Sequence, residues 1–156
     1  MRAPQSFEER FSVRRVDRCS VHVRALLPVS MTEEDAHAIL HASFTATGHR
    51  QYVVLMEMAS VDGMSPGART ALLSARNVLA AAMLGAGPMD RMLSAPFEGA
   101  RYPAEYFVDL QDATRWLALM HELLCADPVD HGLSLTTDLD PFRRRRPDSG
   151  PAAAAS

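Results

Sequence analysis

Two apolar runs constrain this chain more than any other feature. "YVVLMEM" at 52–58 and "VLAAAML" at 78–84 are nearly continuous rather than alternating. That is the pattern of strands buried on both faces of a parallel sheet. Each run leads into a loop, "ASVDGMSPG" after the first and "GAGP" after the second, and each loop leads into a helix-like pattern. Alanine favours helix, but the position of the second run before "GAGP" assigns it to a strand. Repeated strand–loop–helix units imply right-handed crossovers and an α/β fold.

The remaining segments extend the same plan. "RFSVRRVDR" and "CSVHVRALL" favour strand, and in the second Val21, Val23 and Ala25 alternate with Ser20, His22 and Arg24. From Ser30 the period changes to helical. Thr32 with Asp35 makes a capping box, Ala36, Ile39, Leu40, Ser43, Phe44 and Thr47 share a face, and Gly48 ends the helix. Ala68, Ala71, Leu72 and Ala75 mark a second helix. Gly87 and Pro88 open a third, with Met89, Met92, Leu93 and Phe97 at helical spacing. "EYFVD" reads as a short strand. Asp109 with Asp112 begins a last helix striped by Ala113, Trp116, Leu117, Met120 and Leu124. The expected order is β-β-α-β-α-β-α-β-α, a mixed, mainly parallel five-stranded sheet with four helices. One domain over 1–126 is expected, followed by a disordered tail over 127–156, where Pro, Gly, Asp and Arg dominate.

Composition excludes several function classes. The chain of 156 residues is 47% hydrophobic, enough for a core without metal or disulfide staples. A net charge of -3 makes no case for nucleic acid, and "RRRR" at 143–146 is offset by Asp138, Asp140 and Asp148. The N-terminus lacks the apolar core of a signal peptide, and no apolar run is long enough to span a bilayer. A soluble cytoplasmic protein without a transmembrane segment is expected. Cys19 and Cys125 lie far apart with neither metal-type nor redox spacing, so they read as thiols in a reducing compartment. His37 and His41 stand one helical turn apart, but no third ligand is evident and the expectation is a solvated helix surface. No metal and no cofactor are expected.

"GMSPG" at 63–67 is a Gly-x-Ser-x-Gly sequence between strand and helix, the nucleophile-elbow pattern of serine hydrolases. The residue after such a serine donates its N–H to the oxyanion, and Pro66 has none. One missing donor costs about 3 kcal/mol of transition-state stabilisation. His121 falls within the last predicted helix and His131 in the predicted tail, so neither serves as a held base. Ser65 reads instead as an N-cap with Pro66 in the first helical position. A phosphate on Ser65 would also find a helix N-terminus, with Arg69 one turn away. No catalytic residue is expected.

The unit "YVVLMEMASVDGMSPGARTALL" resembles the STAS domain, the fold of bacterial anti-sigma-factor antagonists. It is closer still to a divergent actinobacterial group of STAS/SEC14-type domains, with "AAAMLGAGPMDRMLSAPF" and "RYPAEYFVDLQDATRWLALM" continuing the likeness over residues 8 to 125. The resemblance matches Glu57 to the acidic residue of the buried strand, Ser65 to the phosphorylated serine and Gly67 to the loop glycine. Met64 stands in place of the family's Asp, and Pro66 follows the serine. The resemblance implies a non-enzymatic regulatory module that docks a partner protein, of the kinase or anti-sigma kind, through residues 62–67 and the following helix. Asp62, Met64, Ser65, Gly67 and Arg69 are then its contact residues. The alternative is an apolar-ligand or lipid carrier. In it Met64, Met83, Met89, Met92, Phe97 and Tyr102 line a cleft outside the carboxyl ends of the strands.

Overall fold

In a computed structural model that describes residues 5–126, the chain forms the expected mixed α/β domain. The predicted tail, with "RRRR" and His131, lies outside the described residues. A short helix α1 (Phe7–Arg10) leads into β1 (Phe11–Asp17) and β2 (Ser20–Ala25). Then follow β3 (Val29–Met31), α2 (Glu33–Ala46), β4 (Tyr52–Glu57), β5 (Val61–Met64) and α3 (Pro66–Leu73). The domain closes with β6 (Val78–Leu84), α4 (Pro88–Ser94), a 3-10 turn (Ala95–Gly99), β7 (Ala104–Phe107) and α5 (Leu110–Leu124).

The main sheet has five strands in the order β1-β2-β4-β6-β7. β1 and β2 pair antiparallel as a hairpin, whereas β2–β4, β4–β6 and β6–β7 are parallel. Side-chain alternation divides the interior between the two faces. Val21, Val23, Val54, Met56, Ala81 and Met83 pack with Ile39, Leu72 and Phe97 under α2, α3 and the 3-10 turn. Val53, Leu55, Ala80 and Ala82 face the other way, onto Ala113 and Leu117 of α5. Each of these strand residues is buried, which is why β4 and β6 read as continuous apolar runs.

The caps read from the sequence are present. Thr32 Oγ1 accepts from Asp35 N (3.1 Å) while Asp35 Oδ2 accepts from Thr32 N (3.0 Å). Asp109 accepts from Gln111 N at 2.9 Å. After Thr47 the chain leaves α2 through Gly48 and His49, both left-handed (φ 67° and 62°), and His49 N closes on Phe44 O at 2.8 Å.

Two expectations need correction. Residues 62–67 are not simply a loop: β5 runs to Met64 and pairs with β3 in a small parallel ribbon apart from the main sheet. Nor do Met89 and Met92 face the interior. Asp90 accepts a hydrogen bond from Ala86 N (2.9 Å), and Ser94 Oγ donates to Asp90 O (2.8 Å). These polar contacts turn Asp90 and Ser94 inward, leaving Met89 55% and Met92 68% exposed.

Candidate functional site

The β3–β5 ribbon organises the carboxyl-terminal edge of the sheet. Met31 and Met64 are register partners, and the next residue of each strand is a helix cap, Thr32 for α2 and Ser65 for α3. Ser65 N continues the ladder by donating to Met31 O at 2.9 Å. The two helices therefore start side by side. Gly67 permits this approach, since a Cβ there would stand 2.5 Å from Glu33 Oε1 and 3.0 Å from Glu33 Cβ. α3 has no acidic residue in its own first turn, and the Glu33 carboxylate supplies the negative charge that its N-terminus favours.

Ser65 is a cap. Its Oγ accepts from Ala68 N at 3.0 Å, its backbone is extended (φ -67°, ψ 157°), and Pro66 occupies the first helical position. Among the described residues no imidazole reaches this hydroxyl. His121 lies on α5, buried beneath the opposite face of the sheet. Of the remaining predicted contact residues, Asp62 is exposed, whereas Met64, Gly67 and Arg69 are half-buried along the same edge.

The six residues expected to line an apolar cleft are separated. Met83, Phe97 and Tyr102 are buried in the core, where with Tyr52 and Leu72 they surround a cavity of about 30 Å³. Such a space suits roughly one water molecule, not a lipid tail. Tyr102 Oη donates to Leu72 O at 2.6 Å, and burial pushes the Tyr52 phenol up to about 12, so neither ring is poised for acid–base work. A larger open cleft of about 340 Å³ beyond Met83 is lined by Arg91, Glu98, Glu105 and Tyr106, a polar wall. Met64 is half-buried beside α4, which packs against β5, and Met89 and Met92 project from α4.

Glu57, the acidic residue of the buried strand, is engaged. His22 Nε2 lies 2.5 Å from Glu57 Oε2, and Arg14 Nη2 lies 3.2 Å from His22 Nδ1. A guanidinium only donates, so Nδ1 accepts and the proton sits on Nε2, from which it is donated to Glu57. The row Arg14–His22–Glu57 thus crosses β1, β2 and β4 on the sheet face away from α2 and α3. His37 and His41 are exposed on α2, and His37 Nε2 faces Glu33 Oε2 at 3.5 Å.

At the opposite edge of the sheet stands a constellation that no spacing in the sequence announced. Cys19, in the turn between β1 and β2, meets His121 and Cys125 from the end of α5, with their ligand atoms all within 4.8 Å of one another. The two cysteines, far apart in the sequence and without metal-type spacing there, are thus neighbours in the fold. Cys19 and His121 are fully buried and Cys125 is half-buried. Burial pushes the Cys19 thiol up to about 12, and Cys125 adds to the rise, while the Arg50 and Arg18 guanidinium groups act against it. The donor set is two sulfurs and one imidazole, the kind that holds zinc or another soft to borderline cation.

No family model matches the chain, and no curated protein matches it either. Among solved structures it is similar to an uncharacterised protein of the DUF3478 family from Shewanella loihica PV-4, described as having a SpoIIAA-like fold. The two share 18% identity over 69% of this chain and 91% of that one, with a TM-score of 0.49. The α/β class of this chain rests on its own strand order and helix placement.

Proposed function

We propose that this protein is a non-enzymatic, STAS-like interaction module. It docks a partner protein at the carboxyl-terminal edge of its sheet, through residues 62–67, the first turn of α3 and the outer face of α4. The observation that carries this reading is the exposure of Met89 and Met92, 55% and 68%, on the helix that packs against β5. Flexible thioethers suit an adaptable recognition surface, and covering both would contribute roughly 3 kcal/mol or more to binding. Exposed Asp62 on β5 and exposed Glu33, which stands against Gly67, add negative charge along this edge, which favours a partner with an apolar centre and basic flanks.

The reading without a phosphorylation switch is preferred for a local reason. Glu33 already faces the α3 N-terminus, so a phosphate on Ser65 would bring a second negative charge to a position that has one. The Ser65 hydroxyl is also committed to Ala68 N.

The test is affinity capture from the native cell with four forms of the full chain: wild type, Met89→Glu/Met92→Glu, Ser65→Ala, and Leu119→Glu on the outer face of α5. The same partner should be held by wild type, Ser65→Ala and Leu119→Glu. The double variant should weaken it by about 100-fold or more. Equal capture by the double variant, or equal loss with Leu119→Glu, would remove this surface as the docking site. Loss with Ser65→Ala alone would restore the serine to a direct role.

A further inference from the structure

We propose that Cys19, His121 and Cys125 form a zinc-binding site that ties the end of α5 to the turn entering β2. The ligand atoms are of the right kind and nearly in place, all within 4.8 Å of one another. Tetrahedral zinc at about 2.3 Å from sulfur and 2.0–2.1 Å from nitrogen requires S···S near 3.8 Å and S···N near 3.5 Å. Closing from the observed spacing asks each atom to move by about 1 Å or less, within the reach of cysteine rotamers.

The backbone holds the three residues for this geometry. Cys125 N donates to His121 O at 2.9 Å, so the two residues keep one helical turn of separation and project from one side of α5. Cys19 is fixed independently, because its carbonyl accepts from Val53 N at 2.8 Å at the start of β4. Two rigid elements thus aim their donors at a common point, which lowers the ordering cost of binding.

Charge and access agree with zinc. Two thiolates and one divalent cation sum to zero around the metal, a combination that tolerates burial far better than thiolates alone. Binding releases the two thiol protons to solvent and forms two Zn–S bonds and one Zn–N bond. Hard cations are disfavoured by a set without oxygen donors. Cys19 and His121 are buried, and the half-buried Cys125 marks the open side, where water completes the tetrahedron. A disulfide between the cysteines would use no imidazole, and so would not account for the third converging donor.

The experiment titrates the full chain, reduced and metal-free, with Co²⁺ alone. Expected is one cobalt per chain, with the intense visible bands of tetrahedral coordination and a near-ultraviolet thiolate-to-cobalt band, all bleached by one equivalent of Zn²⁺. Cys125→Ser and His121→Gln should each weaken cobalt binding by at least about 100-fold, since even an outer-shell change costs 10–100-fold. His37→Gln/His41→Gln should leave it unchanged. Because His121 is buried, far-ultraviolet circular dichroism accompanies each variant, and Cys125→Ser, at the open side, decides the matter if His121→Gln does not fold. Weak octahedral bands, or a tetrahedral spectrum unaltered by Cys125→Ser, would overturn the proposal. So would a Cys19–Cys125 disulfide recovered from cells by mass spectrometry together with no cobalt binding after reduction.

Discussion

The two ends of the sheet carry opposite kinds of information. At the carboxyl-terminal edge the sequence is rich in recognisable signals: a Gly-x-Ser-x-Gly loop, a capping box, a Gly-Pro helix start and a cluster of methionines. In the fold nearly every polar group among them is committed to structure. Ser65 caps α3, Asp35 serves both Thr32 and Arg10, and Asp90 holds Ala86 N. At the amino-terminal edge the sequence offers no motif, yet three metal-ligating side chains converge there. Local pattern reports how a chain starts and stops its helices, whereas a site assembled from distant segments leaves no local pattern.

Substitutions at both ends would sharpen or break this contrast. The largest effect is expected at Asp35, which accepts from Arg10 Nη1 at 2.7 Å and from Nη2 at 2.8 Å and also completes the α2 capping box. Asp35→Ala should cost about 3 kcal/mol, because it strands a partly buried guanidinium and removes a cap. Burial pushes the Asp35 carboxyl up, but hydrogen bonds from Arg10 and Thr32 outweigh it and hold the group below its ordinary 3.8. Its contribution is therefore complete above the unfolded value and is lost as pH falls through the lower folded value. Urea unfolding of wild type and variant should show their stability gap full at pH 6 and shrinking below about pH 4. A gap independent of pH would mean that the ion pair contributes nothing.

Next is Gly85, where an added Cβ would lie 2.5 Å from Asp90 Cβ and 2.8 Å from the Tyr106 ring. Gly85→Ala should cost about 2 kcal/mol, read as a lowered denaturation midpoint, since α4 must shift outward. Ser65→Ala should cost about 1 kcal/mol in the same assay, the usual loss for one N-cap. A loss several times larger would show that the hydroxyl does more than cap. The smallest effect is expected at the other end. In metal-free protein Cys125→Ser should change stability by only about 0.5 kcal/mol. In wild type, zinc should raise the melting temperature by mass action, and Cys125→Ser should abolish that rise. Equal zinc stabilisation of both forms would break the contrast between the two ends.

Much of the architecture was legible because its causes are short-range. Continuous apolar runs mark β4 and β6, Thr32 and Asp109 mark helix starts, and Gly48 marks a helix end, each through interactions that reach a few residues. The β3–β5 ribbon was not legible, because three or four residues carry too little periodicity and their pairing joins separate crossovers. The burial of α4 was misread for a related reason. Met89, Met92 and Leu93 have helical spacing, but the orientation of the helix is set by a polar contact, Asp90 to Ala86 N, that hydrophobic pattern does not encode.

By itself the sequence determined the α/β class, the order of the main strands and helices, and the missing amide donor after Ser65, since Pro66 lacks an amide hydrogen whatever the fold. Only the tertiary structure decided that Glu33 covers the start of α3, that Met89 and Met92 face solvent, and that Cys19 meets His121 and Cys125. The difference is one of range. Propensity, capping and missing donors act within a turn of the chain, while the meeting of the β1–β2 turn with the end of α5 depends on how the whole sheet twists and on which face its last helix covers.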